Sequence, residues 1–222
     1  MKPRIIAQAV TASFFAAAAA TPAFAENIYE TGLGLGVWTN MTIPLGTQAW
    51  FLGQQYIDID GTSFMAFCLD PAQYSPPAPP PTYVYTPMSL PTRFSSGTTA
   101  ADVETLYAKF YTPATLASAT QSAAFQWALW EIANDDFNTA TGGVKLTGST
   151  DASVLAATNS MLSFVAAPGN MTSAYTITVH VNDVKQDYIT AVPVPEPETY
   201  AMFLAGLGMM GVVARRRVAR RS

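Results

Sequence analysis

The sequence predicts an α+β domain with an antiparallel β-sandwich or barrel-like core and an inserted helical segment. Three patterns support this class. Residues 47–60 and 62–69 are rich in strand formers on either side of Gly61, which predicts a hairpin. Residues 99–135 carry apolar side chains at steps of three and four, which predicts helices. Residues 172–184 alternate apolar and polar side chains, which predicts a late, half-buried strand.

The N-terminal 1–25 segment has the three parts of a secretory signal peptide. A short basic start is followed by a weakly helical apolar run over residues 5–20 and by small residues up to Ala25. We therefore expect a signal helix, export, and removal of this segment by signal peptidase after Ala25. Residues 26–192 then form the extracellular domain.

Charge is distributed very unevenly along the chain. Only four of the eleven Lys and Arg residues lie in 26–194, against thirteen of the fifteen Asp and Glu residues. The predicted extracellular domain is therefore acidic, and an acidic surface repels polyanions. We expect no nucleic-acid partner.

The segments between the predicted strands follow simpler rules. Residues 70–91 are rich in proline, which predicts an extended surface loop. Thr112 and Pro113 form a good cap and first-turn pair for a helix. The strongest helical pattern runs over residues 120–135.

The C-terminal segment has three parts. Residues 193–198 (PVPEPE) cannot form a helix or a central strand, because proline removes backbone donors. Residues 200–214 are uncharged and mostly apolar, and we expect a transmembrane helix there, although it is short for a full span. Arg215, Arg216 and Arg217 follow at once and form a membrane stop on the cytoplasmic side.

This tail, residues 193–222, closely resembles the PEP-CTERM sorting signal of Gram-negative bacteria. The resemblance implies that an exosortase, a membrane-embedded transpeptidase-like protein, recognises Pro195, Glu196 and Pro197 and removes the helix. The protein would be anchored transiently in the inner membrane and then reach the outer surface or the extracellular matrix.

The chain contains one cysteine, Cys68, so an intramolecular disulfide is impossible. Alternation over residues 64–69 places Cys68 on the same strand face as Phe64 and Ala66, which predicts a sheltered thiol. Three roles stay open for it: a link to another chain, an inert buried thiol, or a reactive group.

The strongest predicted helix carries a glutamine in apolar surroundings. Gln126 lies beside Leu129 and Trp130 rather than on the opposite, solvent-facing side. A buried amide without partners costs a few kcal/mol. Gln126 therefore either hydrogen-bonds the edge of a neighbouring strand or has a chemical role.

Together, the FCLD and QWALWE motifs resemble the two halves of a Cys-Gln (TQxA-type) thioester domain of bacterial surface adhesins. The resemblance implies that Cys68 attacks the side-chain amide of Gln126, expels ammonia and leaves an internal thioester. Ala128 and Trp130 match the rest of the glutamine motif, and Leu129 replaces its isoleucine. The resemblance covers roughly residues 38–136.

A stored thioester needs protection from water. We expect the aromatic side chains of Phe67, Trp127 and Trp130, with Ala128, to surround the bond while leaving it accessible to an amine. An amine of a partner would displace Cys68 and form an amide with Gln126, once only. We therefore expect an adhesion protein rather than a turnover enzyme, and we expect no cofactor and no metal.

Several alternatives compete with this interpretation. Residues 120–123 (TQSA) are a literal TQxA, but Gln121 and Gln126 cannot both face Cys68, and Gln126 is favoured. The main alternative function is a non-covalent biofilm or exopolysaccharide-associated structural protein with an inert cysteine. A hydrolase that uses Cys68 and His180 is disfavoured, because His180 falls on the polar face of the late strand.

Overall fold

The computed structural model describes residues 24–77, 83–147, 151–194, 205–206 and 209–210. In chain order its strands are β1 (Glu26–Ile43), β2 (Gly46–Ile59), β3 (Thr62–Cys68), β4 (Tyr83–Met88), β5 (Lys145–Leu146), β6 (Tyr175–Val181) and β7 (Tyr188–Pro193). Its helices are α1 (Leu90–Arg93), α2 (Gly97–Phe110), α3 (Pro113–Leu116), α4 (Ala119–Asn134) and α5 (Ala152–Val165).

The sheet closes on itself. Antiparallel pairing runs from β1 to β2, β3, β7, β6 and β4, and β4 pairs again with β1. The short strand β5 extends the sheet on the far part of β1. The helices lie in the chain between β4 and β6, so the predicted α+β class with an antiparallel sheet and an inserted helical segment is confirmed.

A glycine pair allows two long strands to bend over the helices. The β1–β2 register shifts between Leu33 and Gly36, where Gly36 pairs with Gly53. A Cβ at Gly36 would overlap the carbonyl oxygen of Leu52, and Gly53 has a φ of +150°, which side chains rarely adopt. A bulge of this kind bends a hairpin. The far part of the hairpin then packs Met41 against α4.

Helix α4 lies at the centre of two apolar clusters. One side packs Phe125 and Leu129 with residues of α2, α5, β6 and β7. The other side packs Ala123, Trp127 and Trp130 with the β1–β2 hairpin and the start of α5. Helix α4 is therefore almost wholly buried, which explains why its sequence is apolar on nearly every face.

Some elements differ from the sequence prediction. The proline-rich segment 70–91 contains strand β4, whose strand formers Tyr83–Thr86 are obscured by Pro87 within the strand and by the prolines on both sides. Helix α5 and strand β5 were not predicted. The hairpin turn at Gly61 is confirmed, and α2 and α4 begin within two residues of the predicted positions.

The two targeting segments fall mostly on residues that the structure does not describe. Almost all of the predicted signal helix lies outside the described residues. The same is true of the sorting residues Pro195, Glu196 and Pro197 and of the arginines Arg215, Arg216 and Arg217. Most of the predicted transmembrane segment also lies outside the described residues. Within the described part of the chain, none of the helices has both the length and the apolar character needed to cross a bilayer.

Candidate functional site

The candidate site lies where β3 ends against α4. Cys68 is the last residue of β3, pairs with Tyr188 of β7, and is only 2% exposed. After Cys68 the chain leaves the sheet, so the backbone of this segment needs other hydrogen-bond partners. The Leu69 N–H donates to the Asp187 carbonyl oxygen at 2.8 Å, and helix α4 supplies further partners.

Gln126 binds the backbone of Cys68 with both ends of its amide. The Cys68 N–H donates to Gln126 Oε1 at 2.9 Å, and Gln126 Nε2 donates to the Cys68 carbonyl oxygen at 2.7 Å. Asn134, two turns further along α4, donates to the Leu69 carbonyl oxygen at 2.6 Å. The strand-edge hydrogen bonding that the sequence left open for Gln126 is therefore present.

This arrangement also suits acyl chemistry. The Cys68 N–H donates a hydrogen bond to Gln126 Oε1 and so polarises the amide carbonyl of Gln126. The same N–H would stabilise an oxyanion formed at Oε1. This N–H belongs to the same residue as the thiol. The nucleophile, the acyl carbon and an oxyanion donor thus belong to one local arrangement.

The thiol is neutral in this environment. Burial raises the pKa of Cys68 well above its ordinary value, and the nearby carboxylates of Glu30 and Asp70 raise it further. Gln55 Nε2 donates to Cys68 Sγ at 2.8 Å and offsets part of the rise. A reaction of Cys68 therefore requires a group that removes the thiol proton.

Sequence reasoning did not find Gln54 and Gln55. Neighbouring strand residues point to opposite faces, so a Gln-Gln pair in an apolar strand places one amide on each side of the sheet. Gln55 contacts the thiol, while Gln54 Nε2 donates to Leu116 O at 2.7 Å and to Ser122 Oγ at 2.8 Å. Gln54 therefore fixes the start of α4 relative to β2.

The four residues expected to shield the thioester lie in two different apolar clusters, one on each side of β3. Trp127 and Trp130 pack in the same apolar cluster as Cys68. Phe67 and Ala128 pack in the other cluster, where Phe67 lies 4.7 Å from Phe125 between ring centroids. Of these four expected residues, Trp127 and Trp130 are the two that share the apolar cluster of the thiol and help to exclude water from it.

The structure separates the two glutamines of α4. Gln121 is in the first turn, where its backbone N–H donates to the Ser118 hydroxyl at 3.3 Å and its side chain is partly exposed. Gln126 lies further along and is 1% exposed. Of these two, Gln126 is the residue brought to Cys68.

His180 is buried and hydrogen-bonded rather than solvated. Its side chain is 3% exposed, because closure of the sheet covers both faces of β6. Its Nδ1 lies 2.5 Å from Glu26 and its Nε2 lies 2.9 Å from the hydroxyl of Thr190. Cys68 and His180 are two strands apart, on either side of Tyr188. The geometry provides no Cys-His pair.

The three carboxylates at the end of α4 differ in burial: Glu131 is buried, Asp135 is intermediate and Asp136 is exposed. Carboxylate oxygens of Glu131, Asp135 and Asp136 lie within 4.8 Å of one another, and Glu131 is fully buried. Trp127 Nε1 donates to Glu131 Oε1 at 2.9 Å, and the Asn138 N–H donates to Oε2 at 3.1 Å. Burial raises the pKa of Glu131 to about 7.

We expect Glu131 to make folding stability depend on pH. Its pKa rises from 4.5 to about 7 on folding, so its contribution is complete below pH 4.5 and is lost as the pH approaches 7. Glu131→Gln should flatten this decline in the unfolding free energy, measured by denaturant titration at several pH values. An unchanged decline in the variant would contradict the assignment.

A cavity of about 380 Å³ opens beside the thiol. Its walls come from the β1–β2 hairpin, from the loop after Cys68, and from Trp130 of α4. The loop is held in place because the Glu30 N–H donates to Pro76 O at 3.3 Å and the Gln186 N–H donates to Tyr74 O at 3.1 Å. The thiol is therefore shielded on one side and borders a cavity on the other.

Comparison with known proteins identifies the tail first. Residues 193–217 match the PEP-CTERM protein-sorting motif. The chain thus carries the predicted sorting signal, and the motif implies export and processing by an exosortase. The match is confined to this short segment. No curated protein matches the chain at a significant level.

The fold is similar to domains of bacterial surface proteins. The N-terminal domain of the Streptococcus pyogenes pilus tip adhesin Cpa has a TM-score of 0.46 at 11% identity, covering 76% of this chain and 94% of its own. The N-terminal thioester domain of a Clostridium perfringens surface protein has a TM-score of 0.47 at 11% identity, covering 77% and 100%. The thioester domain of the Staphylococcus aureus TIE protein has a TM-score of 0.46 at 11% identity, covering 75% and 92%.

Proposed function

We propose that this exported protein forms an internal thioester between Cys68 and Gln126 and uses it for one-time covalent attachment to an amine-bearing partner. The observation that carries the proposal is the double hydrogen bond between the Gln126 amide and the Cys68 backbone. It holds the Gln126 amide against the backbone of the residue that carries the only thiol of the chain.

The surroundings favour storage of a thioester. Trp127 and Trp130 exclude water from one side of Cys68, so hydrolysis there is slow. The cavity on the other side leaves a path for a nucleophile. Attack by an amine releases the thiol and consumes the acyl group, so the protein acts once and is not a turnover enzyme.

The targeting segments support a role at the cell surface. Signal peptidase would release the domain after Ala25, and the exosortase would act at Pro195, Glu196 and Pro197 once the C-terminal helix is in the inner membrane. The domain would then reach the outer surface or matrix of a Gram-negative cell. Adhesion or biofilm formation through a covalent bond fits that location.

Intact mass under denaturing conditions tests the thioester. The processed wild-type protein should be lighter than its sequence by one ammonia, because the thiol replaces the amide nitrogen. Cys68→Ala should restore the full mass, whereas Gln121→Ala should keep the loss, since Gln121 is remote from the thiol. The unmodified mass in freshly folded wild-type protein would refute the bond.

A non-covalent matrix or exopolysaccharide-associated protein is the second candidate. It is favoured by the fact that both ends of the Gln126 amide already have hydrogen-bond partners, which is sufficient for a purely structural glutamine. In that case Cys68 is an inert buried thiol. The same mass measurement separates the two functions.

A further inference from the structure

The cavity beside Cys68 is lined by polar atoms that the protein leaves without partners. Among the described residues, Gln55 Oε1, Gln73 Oε1 and Trp130 Nε1 are buried, form no hydrogen bond, and belong to residues of this cavity wall. Buried polar groups without partners are uncommon and costly. Two acceptors and one donor around one cavity therefore indicate a polar guest.

Glu30 is the carboxylate of this cavity. Strand β1 places it opposite Ile57 of β2, and its side chain is half-buried in the wall that also contains Cys68. Within the described residues, the wall carries no other carboxylate and no lysine, arginine or histidine. Glu30 therefore faces the cavity without a cationic partner from that wall.

We propose that this cavity is the channel through which ammonia leaves and the attacking amine arrives, and that Glu30 carries the proton in both steps. The inference rests on the proposed thioester. It also identifies a base that removes the proton of the neutral Cys68 thiol.

A single carboxylate can carry the proton in both thioester formation and amine attachment. In formation, the Cys68 S–H bond breaks, sulfur bonds to the Gln126 acyl carbon, and the amide C–N bond breaks. Glu30 takes the thiol proton and delivers it to the departing nitrogen, which leaves as ammonia. In attachment, an amine bonds to the acyl carbon, the C–S bond breaks, and Glu30 moves one amine proton to sulfur. Glu30 ends each step unchanged.

The electrostatics of the wall fit this role. Burial raises the pKa of the Glu30 carboxyl, so the carboxylate is a stronger base than a solvated one. Cys68 of β3 and Tyr188 of β7 are the titratable groups coupled to it, with the Ser75 hydroxyl from the loop. Both hydroxyls lower the pKa of Glu30 and offset part of the rise.

The acceptors in the cavity explain how an amine would be oriented. A primary amine offers two N–H groups, and an ammonium offers three. Gln55 Oε1, Gln73 Oε1 and the Glu30 carboxylate are three acceptors in one wall. Within the described residues of this wall, Trp130 Nε1 is the one buried donor without a partner, and its N–H is free to donate to a lone pair of the guest.

Glu30→Gln tests the proposal because it keeps the shape of the side chain but removes the base. Intact mass first establishes whether each protein carries the thioester. Methylamine is then added over a range of pH, and the rate at which the mass rises by one methylamine is measured. Glu104→Gln, which changes a carboxylate on α2 that accepts a backbone N–H of Ser173, is the matched control. Glu30→Asp tests rescue.

The proposal predicts that Glu30→Gln either fails to lose ammonia or reacts with methylamine at least about tenfold more slowly, with the acidic limb of the pH profile removed. Glu104→Gln should behave as wild type, and Glu30→Asp should recover part of the rate. A Glu30→Gln protein that carries the thioester and reacts at the wild-type rate and pH profile overturns the role of Glu30. A wild-type protein without ammonia loss refutes the thioester itself, which is a separate result.

Discussion

Gln126→Ala is expected to abolish covalent capture completely. The variant lacks the acyl carbon, so it should show neither loss of ammonia nor uptake of methylamine by intact mass. It also leaves the buried N–H and carbonyl oxygen of Cys68 without partners, at about 1–3 kcal/mol each. We therefore expect a lower unfolding free energy as well as an inactive protein.

The appropriate comparison is with the other glutamine that contacts Cys68. Gln55 Nε2 lies 2.8 Å from the thiol, whereas Gln126 is bound to the backbone of the same residue. Gln55→Ala should keep the loss of ammonia if Gln126 is the acyl donor. If Gln126→Ala still lost ammonia and Gln55→Ala kept its full mass, the acyl donor of the thioester would be Gln55 instead of Gln126. Cys68→Ala, which preserves the backbone hydrogen bonds, separates chemistry from folding.

Trp127→Ala is expected to have the largest effect on stability. Trp127 of α4 is fully buried against the β1–β2 hairpin, and its Nε1 donates to Glu131 Oε1 at 2.9 Å. Truncation of a buried tryptophan creates a cavity and costs about 3–5 kcal/mol. Denaturant unfolding followed by fluorescence measures the loss.

Trp38→Ala is the matched control for this substitution. Trp38 lies on the same hairpin but is 63% exposed, so its removal should change the unfolding free energy by less than about 1 kcal/mol. Equal losses in the two variants would contradict the assignment of Trp127 to the core. In protein that carries the thioester, Trp127→Ala should also admit water and shorten the lifetime of the bond.

Local patterns were sufficient for much of the fold. The hairpin around Gly61 and helices α2 and α4 were predicted closely, because each has a clear hydrophobic period. Strand β4 was predicted as part of a loop, because proline is a strong local signal and the run of strand formers it surrounds is short. Its pairing with β1 and β6 is what makes it a strand.

The sequence alone predicted the export and sorting segments, the strand and helix periods, and Cys68 and Gln126 as a candidate pair. These features depend on neighbours along the chain. The tertiary structure decided that the sheet closes, that His180 is buried, that Gln126 rather than Gln121 meets Cys68, and that Glu30 shares a cavity with the thiol. Those outcomes depend on strand pairing and helix packing between residues far apart in the chain, which no local period encodes.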